Sequence, residues 1–318
     1  MSDVRYTEIT PGEEGQRLDN YLIRILKGVP KNHIYRIIRA GEVRINKKRA
    51  KAASRLQAGD SVRIPPVRTS QEKEVYVGKQ LEKRLLESII FEDNNLLVIN
   101  KPAGIAVHGG SGLSLGVIEA LRKTRDDIAY LELVHRLDKE TSGCLMLAKK
   151  RSMLRAIQAL LEAREVTKTY WALLEEPWNE KKKIVVDIAL EKNILKSGER
   201  IVVVNSEGKS SQTEFTLKEN YQQACWVEAS PKTGRTHQIR VHSAYLGHAI
   251  VGDEKYGKSK ELEGLEAIKS RLYLHARAIQ FNLNKENYRF EANLDETFAE
   301  TLKKLRSVDL TLARAKKN

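Results

Sequence analysis

The chain has 318 residues, 41% hydrophobic and 31% charged, a balance that excludes a disordered chain and suits one large domain plus a small one, or two of medium size. Its 56 Lys and Arg against 42 Asp and Glu give a formal charge of +14, which favours a polyanionic partner, most commonly nucleic acid. There is no apolar run of about 18 residues, no basic amphipathic segment and no signal-peptide pattern in MSDVRYTEIT, so no membrane partner is expected and the cytoplasm is the expected location.

Residues 13–65 read as a compact module. Leu18, Tyr21, Leu22, Ile25 and Leu26 recur at helical spacing, and after Gly28 and Pro30 a second helix carries Ile34, Ile37 and Ile38. Gly41 ends it, where a residue free to take positive φ is useful. Two short strands, EVRIN and SVRIP, follow, with a turn at Gly59-Asp60. Lys27, Lys31, Arg36, Arg39, Arg44, Lys47, Lys48, Arg49 and Lys51 are opposed in this stretch only by Glu42. A focused patch of one sign suits phosphate contacts with a structured RNA better than a merely solvated face, which mixes signs.

Residues 66–87, which open on the second proline of Pro65-Pro66 and carry many charges, read as a linker with a short helix near its end. Residues 88–312 alternate strands with a few helices. Strands are expected at SIIFED, NLLVINK, LELV, GCLMLA, TYWALL, KIVVDI, RIVVV, QTEFTL, CWVEA and YRFEANL, and helices at LSLGVIEALRK, SMLRAIQALLEA and HQIRVHSAYL. Many antiparallel strands with helices packed on them indicate an α+β domain. Cys144 and Cys225 lack disulfide or zinc spacing and read as reduced, partly buried thiols.

Three segments concentrate chemistry. In ELVHRLDKETSGCLMLAKK two apolar runs flank a loop crowded with His135, Arg136, Asp138, Thr141 and Ser142, so a rigid scaffold would hold reactive groups. The same loop also reads as an ordinary Asx or Ser/Thr turn, with Asp138 bonding its own backbone. In SPKTGRTHQIRVH, Arg235 and Arg240 flank a helix start that Thr236 would cap. Either arginine would bind phosphate, or one would hold a carboxylate ionised through a bidentate pair. His237 and His242 are five apart, not the i, i+4 spacing of zinc proteases, so no metal is expected. In NKPAGIAVHGGSGLSLG the glycines fit no nucleotide-binding pattern, and Lys101 and His108 remain open between structural and RNA-touching roles.

HRLDKETSG matches the HRLDxxTSG signature of the RluA/RluC family of pseudouridine synthases. NKPAGIAVHGG, KTYWAL, TGRTHQIRVH, GDEKYG and LHARAIQF match that family in order, so the chain resembles it over almost its whole length. The segment RLDNYLIRILKGVPKNHIYRIIRAGEVRINKKRAK resembles the αL RNA-binding module named after a small-subunit ribosomal protein. The resemblance implies a mixed, mainly antiparallel catalytic sheet, no cofactor, and uridines of bacterial large-subunit (23S) ribosomal RNA as substrate; a monomer is expected. It assigns the catalytic carboxylate to Asp138, its ionic partner in a dry pocket to Arg240, the aromatic that stacks on uracil to Tyr170, and the residue filling the vacated stack to Arg136. His135, Thr141, Arg235 and His237 join these as RNA-binding candidates. Two other classes compete: a non-catalytic RNA-binding assembly factor, and a glycosidase with paired carboxylates, for which Glu140 is the sole nearby second acid.

Overall fold

The structure, a computed structural model, describes residues 4–26, 28–67, 77–109, 115–194, 200–257, 262 and 271–315. Two compact units are present, the smaller comprising Met1–Tyr76 with Lys150–Ser152 and the larger Val77–Lys149 and Met153–Asn318.

In the smaller unit, strand β1 (Arg5–Glu8) precedes helices α1 (Leu18–Ile25) and α2 (Lys31–Arg39), then strands β2 (Arg44–Ile45), β3 (Lys48–Arg49) and β4 (Ser61–Ile64). The sheet runs β1-β4-β2-β3, so the module starts earlier than residue 13, with Arg5 opposite Ile64. The apolar stripes meet as expected: Leu18, Tyr21 and Leu22 pack with Ile34, Ile37 and Ile38 over Val62 and Ile64. Gly41 has φ +75°, as its place after α2 requires. Asn46 and Lys47, both at positive φ, form the two-residue turn that joins β2 to β3. Lys27 lies outside the described residues; Lys31, Arg36, Arg39, Arg44, Lys47, Lys48, Arg49 and Lys51 are all exposed.

The larger unit opens with α3 (Lys79–Glu87), the helix expected near the linker's end, and buries Leu85. Then come β5 (Ile89–Glu92), β6 (Leu96–Lys101), α4 (Val117–Thr124), β7 (Glu132–Leu133), β8 (Ser142–Ala148), α5 (Arg151–Ala163), β9 (Thr167–Glu175) and β10 (Lys183–Asp187). They are followed by β11 (Leu190–Ile194), β12 (Arg200–Val204), β13 (Gln212–Asn220), β14 (Ala224–Pro231), α6 (Gln238–Tyr245), β15 (Leu274–Leu283), β16 (Glu286–Glu291) and α7 (Glu296–Ala315). The main sheet runs β10-β13-β14-β9-β15-β8-β6-β5, with β16 on β15 and β7 on β8; β11 and β12 form a separate ribbon. Among the described residues only β15 and β8 pair in parallel, so the sheet is mixed and mainly antiparallel. Among the described residues no helix is long and apolar enough to cross a membrane.

The parallel pair positions the site. Tyr170 on β9 stands opposite Ala276 on β15, which stands opposite Gly143 on β8. Gly143 has φ +110°, and a β-carbon there would lie 2.3 Å from the Ala276 carbonyl oxygen. Only glycine allows that approach, which brings the loop before β8 alongside the row that holds Tyr170.

Candidate active site

The loop between β7 and β8 carries HRLDKETS. Val134 and Leu137 are buried beneath it, and the Val134 amide donates to the Met146 carbonyl at 3.1 Å. The turn at Asp138 is closed by backbone alone, the Thr141 amide donating to the Asp138 carbonyl at 3.2 Å. No backbone amide donates to the Asp138 carboxylate among the described residues, so this is not the Asx turn that would make the aspartate structural.

Lys101, fully buried at the end of β6, donates to the carbonyls of Pro102, Ile105 and Lys139 at 2.8, 2.9 and 3.0 Å. Burial pulls its pKa down to about 7. Three acceptors, however, match the three N–H bonds of an ammonium and exceed the two of an amine, so the bonded form is the charged one. Lys101 therefore ties the loop to the strand from a fully buried position, whereas His108 is exposed and lines the cleft.

The Asp138 side chain is 35% exposed, in an open cleft rather than the dry pocket expected. Two side chains approach the same oxygen: Arg240 Nη1 and His237 Nε2 each lie 3.8 Å from Asp138 Oδ2. The bidentate partner of Arg240 is not Asp138 but Asp253, with Nε to Oδ2 at 2.7 Å and Nη2 to Oδ1 at 2.6 Å. Asp253 Oδ1 also accepts the amides of Lys255 and Tyr256 at 3.0 and 3.1 Å. Burial opposes the charge on Arg240, but the Asp253 pair outweighs it and keeps the guanidinium pKa raised.

α6 starts differently from expectation. Thr236 is exposed and caps nothing; His237 precedes the helix in the left-handed region, at φ 52° and ψ 19°, and Gln238 Oε1 accepts the Arg235 amide at 3.0 Å and the Thr233 hydroxyl at 2.7 Å. Arg235 donates from Nε to the Ser210 carbonyl at 3.2 Å.

The other candidates fall into two groups. Arg136 is exposed and Tyr170 half-buried; both line the cleft with Asp138, Thr141, Arg235, His237 and Arg240. Burial and the negative charge of Asp138 raise the Tyr170 pKa, so its phenol stays protonated. His135 instead accepts the Met146 amide at Nε2, 3.2 Å away, and burial lowers its pKa to about 4, so it braces the loop on β8 as a neutral ring. Glu140 is half-exposed beside Lys139 at 3.5 Å, as a solvated side chain would be. Cys144 and Cys225 are buried, their thiols pushed up to about 12 by desolvation.

The cleft measures about 1310 Å³ and adjoins a second of about 630 Å³ that shares His108, Arg136, Asp138, His237 and Arg240. The larger exceeds the roughly 300–1,000 Å³ of ordinary small-molecule sites, which suits a segment of polymer. Arg136, Arg164, Lys168, Lys192, Lys232 and Arg235 line it against Asp138 and Glu162.

Comparison with known proteins agrees with this geometry. Residues 95–245 match RNA pseudouridylate synthase, and residues 16–62 match the S4 domain. The chain is 52% identical to "Ribosomal large subunit pseudouridine synthase C" of Haemophilus influenzae over 96% of each chain. It is 50% identical to the Escherichia coli K12 protein of the same name, over 96% of this chain and 97% of that one. A solved structure titled "Human RNA Pseudouridylate Synthase Domain Containing 4" superposes with TM-score 0.60 at 30% identity, covering 71% of this chain and 96% of that one.

Proposed function

The chain belongs to the RNA pseudouridylate synthase family, and we propose that it isomerises uridines of large-subunit (23S) ribosomal RNA, with Asp138 as the catalytic carboxylate. It acts as a cytoplasmic monomer without cofactor or metal. The reaction breaks the bond between the ribose and N1 of uracil, turns the freed base, and rejoins it through C5, which gives up its proton. It is redox-neutral and requires a carboxylate beside the sugar and base.

One observation supports this reading above the others: Asp138 stands in a polymer-sized cleft, with Arg240 and His237 both 3.8 Å from one of its oxygens and no backbone amide occupying it. These spacings leave room for hydrogen bonds to tighten when a nucleotide enters. Arg240, fixed by Asp253, presents Nη1 toward the Asp138 carboxylate. Tyr170 offers a ring face to the extruded uracil, and its protonated phenol acts as a donor rather than a base. Exposed Arg136 fills the stack that the base leaves, offsetting the few kcal/mol of flipping. Arg235, partly exposed in the cleft, flanks the path of the RNA, whereas Thr141, 2% exposed, supports the loop from below.

The deciding assay is a single turnover on RNA tritiated at uracil C5. The wild type releases the label, and Asp138→Asn binds RNA without releasing it; a wild type that binds but never releases tritium would leave a non-catalytic assembly factor. Pseudouridine maps of ribosomal RNA from cells with and without the gene then identify the uridines.

A further inference from the structure

We propose that Tyr256 is a positioning residue that keeps the proton of His237 on Nε2, so that a neutral imidazole presents an N–H donor beside Asp138 to the bound uridine. The proposal rests on the synthase reading above.

The assignment follows from counting protons around one phenol. The Tyr256 oxygen lies 2.9 Å from the Val202 amide nitrogen of β12 and 2.7 Å from His237 Nδ1. An amide only donates, so the phenol oxygen accepts there. Its own proton needs an acceptor, and among the described residues the one bonded to it is His237 Nδ1. A ring nitrogen that accepts carries no proton, which places the proton of the neutral ring on Nε2. Burial lowers the His237 pKa despite the opposing charge of Asp138, so the neutral ring is the relevant form.

The geometry gives that proton somewhere to go. Nε2 is 3.8 Å from Asp138 Oδ2, too far for a hydrogen bond, so the N–H is available to a substrate oxygen in the cleft. His237 also holds a left-handed backbone conformation that a residue with a β-carbon keeps only where its surroundings impose it. Tyr256 supplies part of that hold, with its ring edge-on to His237 at 5.6 Å and 5.1 Å from the Arg240 guanidinium. Val202 and Lys192 of the β11–β12 ribbon line the cleft, so docking of the ribbon reaches His237 through the same phenol.

Nitrogen NMR of the full-length protein with labelled histidine reads the tautomer directly. The wild type shows His237 with a bare Nδ1 and a protonated Nε2, and Tyr256→Phe shows a mixture of the two tautomers. Tyr256→Phe also slows single-turnover tritium release by up to about 10²-fold, the scale of a misplaced group, with RNA affinity retained. His237→Gln places an amide donor where Nε2 stands and has no tautomer to choose, so it outperforms His237→Ala, and adding Tyr256→Phe to it costs nothing further. A proton on Nδ1 in the wild type overturns the proposal, as does a Tyr256→Phe penalty equally large in the His237→Gln background. Should Tyr256→Phe fail to fold, the wild-type spectrum alone decides. A wild type that turns over RNA while carrying the proton on Nδ1 sinks this inference and leaves the synthase reading standing.

Discussion

The two units carry positive charge in opposite ways. In the smaller, eight exposed lysines and arginines spread over α2 and the β2–β3 hairpin, and three arginines lean on the end of α2: Arg44, Arg49 and Arg63 donate to the carbonyls of Gly41, Arg39 and Glu42. In the larger, Arg240 is buried and held by Asp253 from one side while one nitrogen faces Asp138. Exposed charge is interchangeable, screened by salt and suited to gripping a phosphate backbone of any sequence. Buried charge is individually placed, so its partners set geometry rather than affinity.

If that contrast holds, substitutions in the two units should fail differently, most severely at the cleft. Asp138→Asn should abolish turnover, a loss beyond the roughly 10²–10⁴-fold that a general acid or base contributes, while RNA affinity measured by filter binding stays unchanged. A parallel loss of affinity would mean that the cleft, like the patch, works chiefly by binding. Asp253→Ala should come next. It strands a buried guanidinium, and breaking a buried pair costs about 3–5 kcal/mol, so denaturant melts should show the loss and turnover should fall with it. A stable Asp253→Ala variant would show that water reaches Arg240 and that its placement is not enforced by burial.

What the sequence disclosed divides along the same line. The stripes of α1 and α2 and the patch are local patterns, and so is the loop of Asp138, because apolar runs on either side announce the strands that hold it. Asp253 escaped because it lies 13 residues from Arg240, beyond any helical or strand period, and only the folded loop brings the two together. The start of α6 departs from the Thr236 cap for a related reason: Gln238 folds back to accept the Arg235 amide, doing from inside the helix what Thr236 would do from outside. His135 looks reactive in sequence, but its partner, the Met146 amide, is on the next strand. β15, at the centre of the sheet, coincides with LHARAIQF, whose alternation is blurred because consecutive residues Leu274, His275 and Ala276 are all buried. The stripe Phe298, Leu302 and Leu305 of α7 is legible at helical spacing and packs into the core.

The patch itself is tested by smaller effects. Replacing Lys31, Arg36 and Arg39 together with alanine should weaken RNA binding and reduce the slope of log affinity against log salt by roughly 2 to 3, with stability nearly unchanged. An unaltered slope would remove the patch from the RNA interface and with it one side of the comparison.

Glu92 supplies the smallest test and a middle case, a paired charge near the surface. Arg125 grips both its oxygens at 2.8 Å, and Lys149 reaches Oε1 at 2.6 Å. The Arg125 hydrogen bonds, with help from Lys149 and against the cost of burial, hold its pKa down at about 2 rather than 4.5. A depressed carboxylate pKa means that the folded state binds fewer protons than the unfolded one. Its stabilisation is therefore complete above pH 4.5 and disappears as pH falls toward about 2. Glu92→Gln cannot titrate, so its melting temperature should lie below the wild type at neutral pH and converge on it across that acid window. Because the site is a quarter exposed, salt should shrink the neutral-pH gap, unlike the penalty at Asp253, where both partners are buried. A gap that ignores both pH and salt would place Glu92 with the buried pairs.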